Sequence, residues 1–457
     1  MRPETRHSYT LLISSCTLAF LVTLGTLHLF GPSLGSLPSD EVRALRIVHD
    51  QILREHVTPH EPDALLRAAI AGMVKSVDRY SAFVPRDAVS DFERDTTGAY
   101  EGVGITLAPA TTPATVYYVL SGGPAERAGL RVGDRIERID DEDATQWAKD
   151  EVIGKARERL LGKPGTSVRL SLHALDDTRR EVVIERGSVQ QHSIKWVRWL
   201  DQAEGLGYVY LSTFQKQTPE ELDAALRQLG AEATLRGLVL DLRDNSGGLL
   251  DECVAIANRF LAGGNILSLR KRGGVEISRF DADPALATHP LLPLVLLVDG
   301  DSASASEVLA GALQDHHRAQ LVGVRTFGKG VVQSIFRWEG LDFRLKLTTA
   351  HYYTPSGRCI EGHIDNPGFV QAGAKPKGGL EPDVVVALPA EQARDVPARL
   401  AGYDIPAPYK VAARARAAAL EFRGELEPAG PDADDQLRKA LELLRAQVRD
   451  APKATGR

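Results

Sequence analysis

Residues 292–315 read LPLVLLVDGDSASASEVLAGALQD. An unbroken apolar run is followed by an acidic turn, three serines at alternate positions and a second apolar run. The first run reads as a strand covered on both faces. The serines stand where a helix is about to start. A serine there ordinarily accepts a hydrogen bond from a free backbone N–H, so capping is the plainest account of Ser302, Ser304 and Ser306. Whether one of them does chemistry depends on what else the chain carries.

Working outward, the same alternation recurs. LGYVYLS reads as a strand and PEELDAALRQL as a helix opened by Pro219. LRGLVLDLR is another strand, GLLDECVAIANRFL another helix, and RAQLVGVR a further strand. Such alternation predicts a layered α/β core. The runs Leu238–Leu240 and Leu294–Val298 suit strands buried on both sides. After TPSG at 354–357 comes a Gly- and Pro-rich loop, then a late strand from Pro382. The tail carries the apolar helix DQLRKALELLRAQV.

Upstream the texture differs. From about residue 98 to 187, short apolar runs are punctuated by Gly and Pro, and SVRLSLHAL and REVVIER look like strands. From Ser39 to about Asp95 the pattern is helical, with Val42, Leu45, Ile47, Val48 and Ile52 near the 3.6 period. These helices could pack on each other or on a second copy of the chain. Residues 11–30, LLISSCTLAFLVTLGTLHLF, follow Arg2 and Arg6, carry no formal charge and are long enough to span a bilayer. GPSLGSLP offers only a weak cleavage site. The expectation is an uncleaved inner-membrane anchor, with the rest of the chain extracytoplasmic, in the periplasm.

The chain has 457 residues, so several units are expected. Its net charge of −6 is mixed along the sequence, and no basic stripe with interleaved aromatics suggests nucleic acid. Cys16, Cys253 and Cys359 form neither a disulfide framework nor a metal-ligand spacing, so no metal and no cofactor is expected. Cys253 sits in an apolar run and reads as a buried small side chain.

Three loops at strand ends can carry chemistry. The first, Asp241-Leu-Arg-Asp-Asn-Ser-Gly247-Gly248, can present free backbone N–H groups to an oxyanion or a phosphate, although the Gly-Lys-Ser/Thr ending of phosphate loops is missing. The second is the serine run. The third is Thr326-Phe-Gly-Lys329-Gly-Val-Val-Gln333. A solvated lysine is the plainer reading there. In a partly buried place beside Phe327 its pKa would fall, and the neutral amine could take a proton from a serine. Asp315-His316-His317 invites a Ser–His–Asp reading. However, those histidines lie about three helical turns, roughly 16 Å, from Ser304 and suit a helix C-terminus.

In this order the DLRxNxGG, SASASE and TFGKGxVQ stretches resemble the C-terminal processing peptidases, also called tail-specific proteases, over roughly residues 40–390. Residues 98–188 resemble a PDZ domain. Gly102, Val103, Gly104 and Ile105 stand at its carboxylate-binding loop, and Gly122-Gly-Pro-Ala125, Ala128-Gly-Leu130 and Val132-Gly-Asp134 match its second half. The resemblance implies a ClpP/crotonase-like layered α/β protease core at 189–390 with that PDZ domain inserted. Flanking it would be an N-terminal anchor at 1–35 and helical regions at 36–97 and 391–457. It implies Ser304 as nucleophile, Lys329 as general base and Gln333 as the residue orienting the lysine. The oxyanion donors would be the N–H of Ala305 and of Gly247 or Gly248. Partners would be protein substrates with exposed apolar C-termini, an adaptor protein and further copies of the chain. Small neighbours around Ser304 would leave room for a substrate backbone, and Glu307 would complete a capping box. Two features depart from the family. Leu160-Leu161-Gly162 replaces Leu-Arg-Gly, which puts PDZ–protease communication in question, and the loop after Gly357 is long. The alternatives are a non-catalytic PDZ scaffold and an acyl-CoA-type enzyme whose paired Gly amides hold a thioester oxyanion.

Overall fold

The computed structural model describes residues 39–362, 378–393 and 431–451, except positions 90, 91, 93–98, 109–112, 121, 149, 175 and 191. The expected anchor at 11–30 and most of the Gly- and Pro-rich loop lie outside the described residues. Among the described residues no helix is long and apolar enough to cross a membrane.

Residues up to Met73 and residues from Val74 onward form two compact units. In the first, helix α1 (Ser39–Glu55) precedes helix α2 (Pro62–Lys75), which starts on a proline whose missing N–H costs nothing at that position. The apolar stripe of α1, including Val42, Leu45, Ile47 and Val48, is exposed.

Helix was expected to continue to about residue 95, but Ala82–Val84 is a strand, β1. Its run Ala-Phe-Val is too short for a helix and ends at Pro85, and Phe83 packs its ring 5.3 Å from Phe343.

The stretch resembling a PDZ domain enters through β2 (Ala99–Gly102). Then come β3 (Ile105–Leu107), β4 (Ala114–Val119), the short helix α3 (Pro124–Arg127), β5 (Arg135–Ile139) and β6 (Glu142–Asp143). Helix α4 (Val152–Leu160), β7 (Ser167–His173) and β8 (Arg179–Glu185) follow, and β9 (Gly187–Gln190) leads out. The sheet order is β3-β4-β5-β7-β8, with β6 on β5, so β3 is an edge. Strands β2 and β9 pair antiparallel where the chain enters and leaves. Val103, Ile136, Leu170, Ile184 and, from α4, Val152, Ala156 and Leu160 form one core.

Beyond it the chain makes β10 (Ile194–Asp201), β11 (Leu206–Leu211), helix α5 (Thr218–Glu232), β12 (Gly237–Asp241) and helix α6 (Leu250–Phe260). Strands β13 (Asn265–Arg270), β14 (Glu276–Asp281) and β15 (Leu294–Val298) precede helix α7 (Ala305–Asp315). Strands β16 (Gln320–Gly323), β17 (Val331–Trp338), β18 (Leu341–Tyr353) and β19 (Val384–Val385) follow, and helix α8 (Asp435–Asp450) is last.

One sheet runs β10-β11-β12-β15-β16-β19. Strands β11 to β19 are parallel, and only β10 is antiparallel. Because side chains alternate across a strand, the apolar runs feed two cores. Leu238, Leu240, Leu294, Leu296 and Val298 face α5, α6 and α7. Val239, Val295 and Leu297 face Leu437, Ala440, Leu441, Leu444 and Val448 of α8. Each leucine so buried contributes about 2 kcal/mol of transfer free energy, which is why a strand wholly apolar in sequence needs a helical layer on each side. The late strand shrinks to β19 because only Val384 and Val385 pair with β16. A second, antiparallel sheet, β1-β18-β13-β14 with β17 on β18, closes over the first core.

Candidate active site

The three loops singled out in sequence meet at the carboxyl ends of parallel strands β12, β15 and β16, where open α/β sheets commonly bind ligands. The turn from β15 into α7 puts Ser304 at φ 57°, ψ −116°, a conformation that costs a non-glycine residue strain. It leaves Ser304 9% exposed. The flanking serines point elsewhere. Ser302 Oγ donates to the Leu242 carbonyl at 2.8 Å and Ser306 Oγ to the Asn245 carbonyl at 2.8 Å. The alternation therefore ties the serine loop to the 241–248 loop through its outer members and leaves the middle hydroxyl out of that stitching. The Tyr352 phenol lies close to Ser304, and burial pushes its pKa up to about 12.

Glu307 has no exposed surface. Its Oε2 accepts from the N–H groups of Ser304 (2.9 Å) and Lys329 (2.8 Å). Its Oε1 accepts from Thr326 Oγ1 (2.6 Å) and the Gly328 N–H (2.7 Å). The capping reading of Glu307 holds, and the same carboxylate also holds the lysine loop. Burial pushes its pKa up while the four donors pull it down.

Gly247 and Gly248 are crowded. A Cβ on Gly247, at φ 103°, would stand 2.8 Å from Ser304 Cβ and 2.9 Å from the Ala305 nitrogen. One on Gly248 would stand 2.1 Å from the Phe214 oxygen. The Gly247 N–H is already engaged, donating to Asn245 Oδ1 at 2.9 Å. Among the described residues, the N–H groups of Gly248 and Ala305 have no acceptor.

Lys329 is half-buried, with Nζ 5.6 Å from the ring centroid of Tyr80. Burial lowers its pKa, and Lys346 lowers it further, while Glu307 and Glu361 oppose the shift. Gln333 lies on β17 opposite Thr348 of β18, and its Nε2 is buried without a partner among the described residues. No hydrogen bond joins Ser304 Oγ, Lys329 Nζ and Gln333 there. His316 caps the far end of α7 and bonds the Asn265 carbonyl at 2.7 Å, so neither it nor His317 belongs to the site. Cys253 is buried, with Sγ donating to the Ala305 carbonyl at 3.1 Å.

A carboxy-terminal-processing protease of Bartonella bacilliformis is 32% identical over 424 residues, covering 88% of this chain and 88% of that one. The chain belongs to this family of serine proteases. The family description "Peptidase family S41" matches residues 205–386, and "PDZ domain" matches 115–172. A probable CtpA-like serine protease of Staphylococcus aureus is 32% identical, covering 75% of this chain and 64% of the other. Among solved structures, a photosystem II D1 C-terminal processing protease is 27% identical, covers 78% of this chain and 95% of its own, and has a TM-score of 0.43.

The expected carboxylate-binding loop at Gly102–Ile105 is shaped by its carbonyls. Those of Val103 and Gly104 accept from the N–H groups of Ala125 (2.8 Å) and Leu120 (2.9 Å), and the Gly104 N–H has no acceptor among the described residues. Ile105 begins the edge strand β3, and Gly102 bridges to Leu161 at the end of α4. Sequence reasoning placed Phe327 beside the lysine. A second ring, that of Tyr80, lies under Nζ, held by a turn in which Asp78 accepts from the Tyr80 and Ser81 N–H groups at 2.7 Å. Nothing in the spacing of the motifs pointed to it.

Proposed function

We propose that this serine protease cleaves protein substrates near their C-termini through a Ser304–Lys329 dyad. Ser304 Oγ attacks the scissile carbonyl while the neutral Lys329 amine takes its proton. The oxyanion is held by the N–H groups of Ala305 and Gly248, since that of Gly247 is spent on Asn245. The α7 N-terminus favours the same negative charge. Protonated Lys329 then gives its proton to the leaving amine. Water, deprotonated by the same lysine, hydrolyses the acyl-enzyme and frees Ser304. Gln333 orients the lysine once Nζ turns toward Ser304.

The PDZ domain would take the substrate's C-terminal carboxylate at Gly102–Ile105 and add the tail as a strand to the β3 edge. Cell-envelope proteins are the substrates this reading names, with the chain anchored through residues 11–30 in the inner membrane and acting in the periplasm. An adaptor and self-assembly belong to the same reading.

The observation that carries the reading is the shared carboxylate of Glu307, which binds the backbones of Ser304 and Lys329 through one oxygen. The test incubates the full chain in mild detergent, wild type beside Ser304→Ala, with a loosely folded protein ending in apolar residues, followed by intact mass. Cleavage by wild type alone is expected. Equal cleavage by both would remove Ser304 from the chemistry.

A further inference from the structure

Arg243 is a buried cation in the 241–248 loop. It receives Asp241 in two-pronged fashion, with Nε 3.0 Å from Oδ1 and Nη2 2.6 Å from Oδ2. On its far side Nη1 reaches Asp434 Oδ1 and Gln436 Oε1, both at 3.1 Å, and Nη2 lies 2.8 Å from Asp434 Oδ2. Asp434 also caps α8, accepting from the Leu437 N–H at 3.0 Å. All four side chains are essentially buried. A buried ion group of this kind gives little net stability over apolar packing, so docking α8, which already has an apolar face, is a poor account of it.

The backbone around Arg243 is what the serine loop is stitched to. The Leu242 carbonyl receives Ser302 Oγ. The Asn245 carbonyl receives the Ala303 N–H at 3.0 Å and Ser306 Oγ at 2.8 Å, while its amide nitrogen donates to the Leu211 carbonyl at 2.7 Å. Fixing the Arg243 side chain from behind the sheet therefore fixes the register of the oxyanion loop against the nucleophile turn.

We propose that Asp434, at the start of α8, is a positioning residue for the oxyanion side of the active site, acting through Arg243. The proposal rests on the Ser304 reading above. Asp434→Asn keeps the helix cap but removes one of the two carboxylate charges that hold the guanidinium, leaving Asp241.

The full chain is assayed for kcat and KM on the same loosely folded substrate, and for the rate at which a small fluorophosphonate labels Ser304. Asp434→Asn is expected to lower kcat and the labelling rate tenfold or more, with KM within twofold, and Asp434→Glu to recover most of the loss. Leu229→Ala, in α5, serves as a stability reference that lowers the melting temperature but keeps kcat. If Asp434→Asn does not fold, Gln436→Leu removes one guanidinium partner and should still lower the labelling rate severalfold. A kcat and labelling rate within twofold of wild type for the folded Asp434 or Gln436 variant, or a loss as large in Leu229→Ala, would overturn the role of Asp434 alone. Wild type labelled no faster than Ser304→Ala would overturn the Ser304 reading and this proposal with it.

Discussion

Removing the Glu307 carboxylate should do more damage than any comparable change outside the dyad, and in a graded way. In Glu307→Ala, four donors lose their acceptor at once: Ser304 N–H, Lys329 N–H, Gly328 N–H and Thr326 Oγ1. A buried donor left unsatisfied costs about 1–3 kcal/mol, so four cost at least about 4 kcal/mol, part of it offset because a buried charge also disappears. For a core of this size each kcal/mol is worth roughly 2–4 °C, so the melting temperature should fall by about 10 °C. Glu307→Gln is gentler for a specific reason. Its amide nitrogen can be placed toward Thr326, whose hydroxyl oxygen already accepts from the Leu380 N–H at 2.7 Å and can accept once more, so that the Gly328 N–H and the Thr326 hydroxyl proton lose their acceptor while Ser304 and Lys329 keep a carbonyl oxygen. The assay is differential scanning fluorimetry together with kcat at a temperature where all three proteins are folded. Glutamine should lose about tenfold in kcat and alanine about a thousandfold, since the two N–H groups that keep an acceptor in glutamine and lose it in alanine separate them, at roughly 1–3 kcal/mol each. If Glu307→Ala retains kcat within threefold of wild type, or if glutamine and alanine are equally impaired, the shared carboxylate does not hold the site.

The pH dependence follows from Lys329. Its pKa is lowered by burial in the folded state, so kcat/KM should rise with pH through a value below the ordinary lysine value and then level off. Between the folded and unfolded values the unfolded chain binds more protons, so the same group makes stability rise with pH. Lys329→Met should therefore be inactive yet no less thermostable than wild type at neutral pH, and a marked loss of stability would show that the lysine is held by pairing rather than strained by burial. Asp244 behaves oppositely. Burial, with Asp299 and Asp301 nearby, raises it to about 6. The folded state then binds the extra proton between the unfolded value and 6, and stability falls as pH rises through that window. Asp244→Asn should raise the melting temperature above pH 6 and lose that advantage toward pH 4, as a melting series in pH would show.

Much of the candidate site was legible because its parts are short and local. The LPLVLLVDGDSASASE stretch fixes a strand, a turn and a helix start within one segment, and the capping glutamate sits three residues after the serine it serves. The alternation of apolar strands with amphipathic helices was equally plain. The second sheet was not. Strands β17 and β18 are half-exposed and carry arginine, lysine and threonine among their apolar residues, so they lack the continuous apolar run that marks a doubly covered strand. β1 hid for another reason: three residues between a helix and a proline carry no period at all.

What stayed invisible was contact across long separations. Tyr80 reaches the lysine loop because Ser81 Oγ accepts from the Thr348 N–H at 3.1 Å, a pairing of residues 267 positions apart. Arg243 meets Asp434 across 191. In sequence Arg243 is one charged residue in a turn and Asp434 an ordinary helix cap, and each has a sufficient local explanation. Burial changes the accounting: a guanidinium with 1% of its side chain exposed must be answered by carboxylates, and one of the two that answer it begins the helix covering the opposite face of the sheet. The side of the sheet away from Ser304 thereby carries a constraint on the side proposed to do the chemistry.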